Sequence, residues 1–218
     1  MRNATILPFF LSLLSLLGCP AESSDAIAIA DARALAVDEA ATIEGYVSVA
    51  PGTFNSAIGD QGFAIQDASG GIYVSVPDPL EFGLGERVRV SGRLAQVAQF
   101  TTLIATTAEV EVVAGSQDVA ARSIATGEVA EASEGELVEV AGTITQMVMD
   151  DSPYGFKVYV DDGSGEVQVF VHIVDGVPVV PLEGLDVGVS ITVIGLSAQY
   201  ETTYEVTPRI AGDLQIGS

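Results

Sequence analysis

The chain has 218 residues, with 30 acidic side chains against 8 basic ones and a formal net charge of -22. Hydrophobic residues make up 48% and mean hydropathy is +0.42, so there is apolar material for a core and the acidity belongs on a folded surface. That charge opposes a protein that coats duplex DNA, and one Cys with one His leaves neither a disulfide framework nor a Cys- or His-rich metal centre.

Residues 1–18 carry Arg2 and an apolar run over 6–17 interrupted by Pro8, Ser12 and Ser15. About 12 residues fall short of the roughly 20 that a membrane-spanning helix needs, which points to an export signal. The segment closes on Leu16, Leu17, Gly18 and Cys19, which resembles the lipobox of bacterial lipoproteins. That resemblance implies cleavage before Cys19, lipidation of Cys19, and a polar tether over 19–25 that holds the folded part at a membrane. It implies a place in the bacterial cell envelope, and Pro20 directly after the Cys favours the outer membrane.

The rest of the chain contains itself twice. A shift of 95 residues lays 63–76 (FAIQDASGGIYVSV) over 158–171 (VYVDDGSGEVQVFV), with Asp67 on Asp162, Ser69 on Ser164 and Gly70 on Gly165. Both stretches alternate apolar and polar residues about a turn of Asp, Ser and Gly, the pattern of an antiparallel hairpin. Upstream, Gly45 in TIEGYVSV matches Gly142 in EVAGTITQ; downstream, LGERVRVSG at 84–92 matches VGVSITVIG at 187–195. Two units follow, over 26–115 and 123–218, with a linker at 116–122.

Within the first unit the alternation predicts a short helical turn and then strands at about 41–49, 62–67, 71–76, 86–94 and 101–113. The second unit repeats the series from Leu137, Phe156, Gly165, Val189 and Tyr204. A Gly inside the first strand suits the bend by which one strand serves both sides of a small barrel. The crossovers, PDPLEFGLG and GVPVVPLEGLDVG, are too rich in Pro and Gly for a full helix. The fold class is therefore all-β: two tandem five-stranded OB-fold-like Greek-key barrels with short or degenerate helices.

The series G-x-V, F-x-I-Q-D-x-S-G-G-I-x-V and L-x-x-G-x-x-V-x-V-x-G, with YEVTPR at 204–209, resembles the exported tandem OB-fold domains of bacteria. Those domains accompany secreted nucleases and also occur in lipoproteins. The resemblance implies a nucleic-acid-binding ancestry; this chain lacks the nuclease domain that such modules accompany, and fold alone does not set function.

An OB-fold takes single strands across its second and third strands, with stacked aromatic rings and a cationic groove. Phe54, Tyr73, Tyr154, Tyr159 and Tyr200 are the aromatic surface candidates. Arg87, Arg89 and Arg93 share one strand face that points to solvent, where Glu81, Glu86 and Asp67 would offset them. The second unit has Ser190 and Thr192 in their place. Binding of single-stranded nucleic acid through the first unit is the alternative reading, and the net charge disfavours it.

Asp150, Asp151, Asp161, Asp162 and Glu166 are oxygen donors of the kind Ca²⁺ takes, but the segment lacks the spacing of an EF-hand loop, and Asp-Gly and Ser-Gly are ordinary turn chemistry. No metal and no cofactor is expected. His172 alternates with Val171 and Ile173, which predicts a solvent-facing imidazole, and no nucleophile motif accompanies it. The sequence reads as a non-enzymatic, lipid-anchored binding or scaffolding module whose partner is an envelope protein or a glycan.

Overall fold

The computed structural model describes residues 25–217; the signal segment, Cys19 and most of the tether lie outside the described residues. A helical turn, α1 (Ile29–Arg33), leads into β1 (Ala40–Val49), β2 (Phe63–Gln66), β3 (Gly71–Ser75), β4 (Glu86–Val97), β5 (Phe100–Ile104) and β6 (Val110–Ser116). The second half runs through β7 (Arg122–Ser123), β8 (Leu137–Ile144), β9 (Met149–Asp151), β10 (Gly155–Asp161) and β11 (Val167–Val174). It ends in β12 (Val177–Pro178), β13 (Ser190–Tyr200), β14 (Thr203–Thr207) and β15 (Leu214–Ile216). Among the described residues no helix is long and apolar enough to cross a membrane.

Strand pairing closes the first barrel in the OB order. β1 pairs β2, β2 pairs β3, β3 runs parallel to β5, β5 pairs β4, and β4 returns to β1. β8, β10, β11, β14 and β13 repeat that circuit, including the parallel pair of β11 with β14. One strand serves two neighbours in each barrel, and its Gly stands where a neighbouring backbone comes close. A Cβ on Gly45 would stand 3.0 Å from the carbonyl oxygen of Gln66, and one on Gly142 would stand 2.8 Å from the backbone of Asp161.

Each barrel has its own core of alternate residues, mostly β-branched, which suit a pleated buried surface. Ile43, Phe63, Ile65, Ile72, Val74, Val88, Val90 and Leu103 fill the first, and Val140, Val158, Val160, Val169, Val171, Ile191, Val193 and Val206 the second.

The predicted fifth strand of the first unit is in fact two, split by a 3₁₀ turn at Thr107–Glu109. Thr106 and Glu109 form a capping box in which the backbone N–H and hydroxyl of Thr106 both donate to Glu109 Oε2 at 2.8 Å. T-x-x-E is the sequence signature of that device, and it stops a strand that alternation alone would continue. β6 then pairs the opposite end of β4, as β15 pairs β13. Pairing resumes at Arg122, since β7 lies parallel to β8, so residues 117–121 join the two sheets.

The two barrels are packed together. A third apolar cluster, Val49, Phe54, Ala64, Tyr73, Phe100, Leu196 and Ala198, draws residues from both. Gln66 Oε1 accepts the N–H of Leu137 at 2.8 Å, and Arg33 donates to Glu134 Oε1 at 2.9 Å. Arg209, held by Asp213, donates to the carbonyl of Ser48 at 2.8 Å. β13 therefore lies against the outward face of β2 and β3, every residue of which but Gln66 is buried.

Candidate functional site

The packing overturns two of the aromatic surface candidates. Phe54 is 7% exposed and Tyr73 is 1% exposed, with ring centroids 4.9 Å apart, because the second barrel covers the face they point to. The Tyr73 hydroxyl donates to Asp60 Oδ1 at 2.5 Å, and burial, with Asp60 beside it, pushes its pKa far above the ordinary phenol value. Tyr159 is half-buried and donates to Gln168 Oε1 at 3.1 Å. Tyr154 and Tyr200 are exposed.

The arginine stripe lies on one face as expected, but its counter-charge is Glu44 and not Glu81, Glu86 or Asp67. Register sets Glu44 opposite Arg89 across the β1–β4 ladder, and both Arg87 and Arg89 ion-pair with it. Arg93 donates to the carbonyl of Asp38 at 2.6 Å. Opposite charges already meet Arg87 and Arg89, which weakens the stripe as a phosphate track.

The carboxylates proposed for Ca²⁺ do not converge. Asp151 faces Gly155 at one end of β10 and Asp161 closes the other end, six residue steps or about 20 Å away. Asp150 accepts the N–H of Ser152, Asp151 pairs with Lys157 at 2.9 Å, and Glu166 accepts from Gln146 at 2.8 Å. Asp161 accepts from Gly163 at 2.7 Å and Gly165 at 3.2 Å. Asp162 takes the hydroxyls of Ser164 and Thr126 at 2.5 and 2.8 Å. The Ser164 hydroxyl, followed by the Ser164 N–H, holds the Asp162 pKa well below the usual carboxylate range. Among the described residues no group of three or more metal-ligating side chains gathers.

The larger polar assembly is on the second barrel. Because Val158, Val169, Val171 and Val206 enter its core, the intervening Lys157, Tyr159, Gln168, Phe170, His172 and Glu205 point outward from β10, β11 and β14. The β1–β2 loop of the first barrel reaches over this face. Asn55 Nδ2 donates to the carbonyl of Ile173 at 2.8 Å, and a cleft of about 430 Å³ remains between the loop and the sheet. Asp151, Tyr154 and Tyr200 complete its rim, and a chamber of about 30 Å³ behind Glu205 adjoins it.

His172 departs furthest from its expected place. It leaves its own core as alternation predicts, yet it is 2% exposed because Phe54 closes over it at 4.8 Å and Phe170 lies 5.0 Å away. Neither ring nitrogen meets a protein hydrogen-bond partner, and burial lowers the pKa from 6.5 to about 3, so the imidazole is neutral.

Glu205 is also buried. Gln168 Nε2 donates to its Oε2 at 2.6 Å, but desolvation outweighs that bond and raises the pKa from 4.5 to about 7. The hydrogen bond to Asp151 raises the pKa of Lys157, so its ammonium is already committed. Glu205, Gln168 and Lys157 were not legible as site residues, since each occupies an ordinary outward strand position.

A wider groove of about 1060 Å³ lies along the first barrel near Ile27, Ile58 and Ile104. Of its polar groups, Asp60 is engaged by Tyr73 and Ser75, and Glu109 by Thr106.

No family model matches the chain, and no curated protein does. Solved structures do. A murine DNA-binding protein bound with double-stranded DNA aligns over 80% of this chain and 94% of its own, at 11% identity and a TM-score of 0.42. The p204 HINb domain aligns over 83% and 98%, at 13% identity and a TM-score of 0.37. A replication protein A heterotrimer bound to single-stranded DNA aligns over 83% and 52%, at 14% identity and a TM-score of 0.31. The OB assignment for this chain follows from its own two closed strand circuits.

Proposed function

We propose that the chain is a non-enzymatic binding module of the bacterial cell envelope, anchored through lipid on Cys19, whose ligand enters the cleft on the second barrel. One observation carries the binding reading: equivalent outer faces of the two barrels have different fates. Leu196 and Ala198 fill the face of β2 and β3, whereas the face of β10, β11 and β14 keeps an opening of about 430 Å³ over buried Glu205 and His172. That size suits a small ligand or one unit of a polymer. Residues 26–115 serve as a platform that covers one side of the cleft and 123–218 supply its floor, with 116–122 between them. His172 hydrogen-bonds no nucleophile, which favours binding over catalysis.

Single-stranded nucleic acid is a second reading, favoured by the exposed rings of Tyr154 and Tyr200 as stacking surfaces. It would use the second barrel, because Phe54 and Tyr73 are covered on the first.

A fragment screen by ligand-observed NMR, run with a labelled oligo-dT titration at low salt, tests both. Fragment hits that disappear in Tyr200→Ala support the cleft. Oligonucleotide binding that weakens steeply with salt and is lost in Tyr154→Ala/Tyr200→Ala supports the second reading. Hits that survive both substitutions, or no binding of either kind, overturn the cleft as the binding surface.

A further inference from the structure

Given that the cleft is a binding site, its chemistry names the class of ligand. We infer that it receives an organic ammonium group, held against the Glu205 carboxylate and the ring of Tyr200 with His172 beneath it, and rejects neutral or anionic groups of the same shape.

Charge comes first. Lys157 and Asp151 cancel one another at 2.9 Å, which leaves Glu205 as the cleft's unbalanced ionisable group. An entering anion finds no free cation there. A neutral ligand leaves the buried carboxyl where it is, at a cost of desolvation that only a hydrogen bond from Gln168 offsets. A cation removes that cost by pairing. The overall charge of -22 draws cations toward the molecule and repels anions before contact.

Shape agrees with charge. Tyr154 and Tyr200 offer exposed faces at the mouth, 64% and 53% open, and Phe170 lies on the floor. Ring faces attract ammonium groups within about 6 Å and are indifferent to an uncharged group of equal size beyond ordinary contact.

The independent observation is His172. A neutral imidazole has one donor and one acceptor nitrogen, and here both are buried without a partner. An unmade bond on such an atom is costly, so native structures rarely leave two on one ring. A hydroxyl carried next to the ammonium can donate to or accept from one of these nitrogens.

Binding should release a proton. The titratable groups that share the cleft with Glu205 are Lys157 on β10, Asp151 on β9, His172 on β11, Tyr200 on β13 and Tyr154 before β10. Asp60 and Tyr73 lie across the small chamber. Lys157 lowers the Glu205 pKa and Asp151 raises it, and burial exceeds both, holding it at about 7. An ammonium pairs with the ionised carboxylate, so the proton leaves to solvent and affinity should rise with pH.

The test uses the full folded chain and calorimetric or NMR titration with choline, whose charge is independent of pH. Its carbon isostere, with C in place of N⁺, is the neutral control, and glycolate is the anionic one. Choline should bind about tenfold tighter than the isostere at pH 8, about tenfold weaker at pH 6 than at pH 8, and glycolate not at all. Glu205→Gln should abolish the pH dependence and reduce the charge preference to what the tyrosine rings supply, and Lys157→Met should tighten choline binding. Equal affinity for choline and its isostere, or unchanged choline binding in Glu205→Gln, would overturn the ammonium assignment. If fragments still bind the cleft in that case, the binding reading survives and only the class is wrong.

Discussion

The carboxylate of Asp67 accepts the backbone N–H of Ile29 at 3.0 Å, tying the β2–β3 turn to the start of α1 across 38 residues. Ser69 does the same for Ala30, and the second barrel repeats the device with Asp162 and Ser164 on Thr126 and Gly127. The Asp-x-Ser of each hairpin is thus a remote cap for the helical turn that begins each unit, where unpaired N–H groups need acceptors.

Asp67→Ala removes that acceptor together with the turn bonds to Ser69 and Gly70. The expected loss is about 1–2 kcal/mol, the usual worth of a cap, read as a lower urea midpoint at unchanged slope.

Gly71 and Gly135 bring the barrels' backbones together, and a Cβ on Gly71 would stand 2.0 Å from the Gly135 carbonyl. Gly71→Ala should cost on the order of 1–3 kcal/mol by forcing the interface apart. Faster hydrogen exchange at β2 and β3 on the interface side should accompany the loss; unchanged exchange there would show that the barrels do not depend on this contact.

Stability should have a broad maximum between about pH 4.5 and 6.5, because the two buried groups oppose one another. His172, at about 3 folded against 6.5 in its ordinary state, binds its proton more readily unfolded, so its contribution is lost as pH falls from 6.5 toward 3. Glu205, at about 7 folded against 4.5, holds its proton more tightly folded, so its contribution is lost as pH rises from 4.5 through 7. A tenfold difference in proton affinity between the folded and unfolded chain is worth about 1.4 kcal/mol. Glu205→Gln should flatten the alkaline limb and His172→Phe the acid limb, in melting temperatures recorded from pH 3 to 8.

Cys19→Ser should leave the protein unlipidated and in the soluble fraction of the producing bacterium, since Cys19 is the chain's one cysteine. Membrane association of the mutant would contradict the lipoprotein assignment.

The duplication and the strand order were readable along the chain, because alternation and turn residues are local and the two copies restate each other. Alternation also decides which residues leave each barrel's core: Val171 goes in and His172 comes out, Val206 in and Glu205 out. What lies over an outward residue is another matter. Strand periodicity distinguishes a side chain's own core from everything else, and in a single barrel everything else is water. Only the docking of β13 on β2 and β3, and of the β1–β2 loop on β10 and β11, turned Phe54, Tyr73, His172 and Glu205 from surface residues into buried ones. Removing water from an imidazole and a carboxyl is what shifted their protonation, and that desolvation belongs to the contact between the barrels, which no stretch of the sequence spells out.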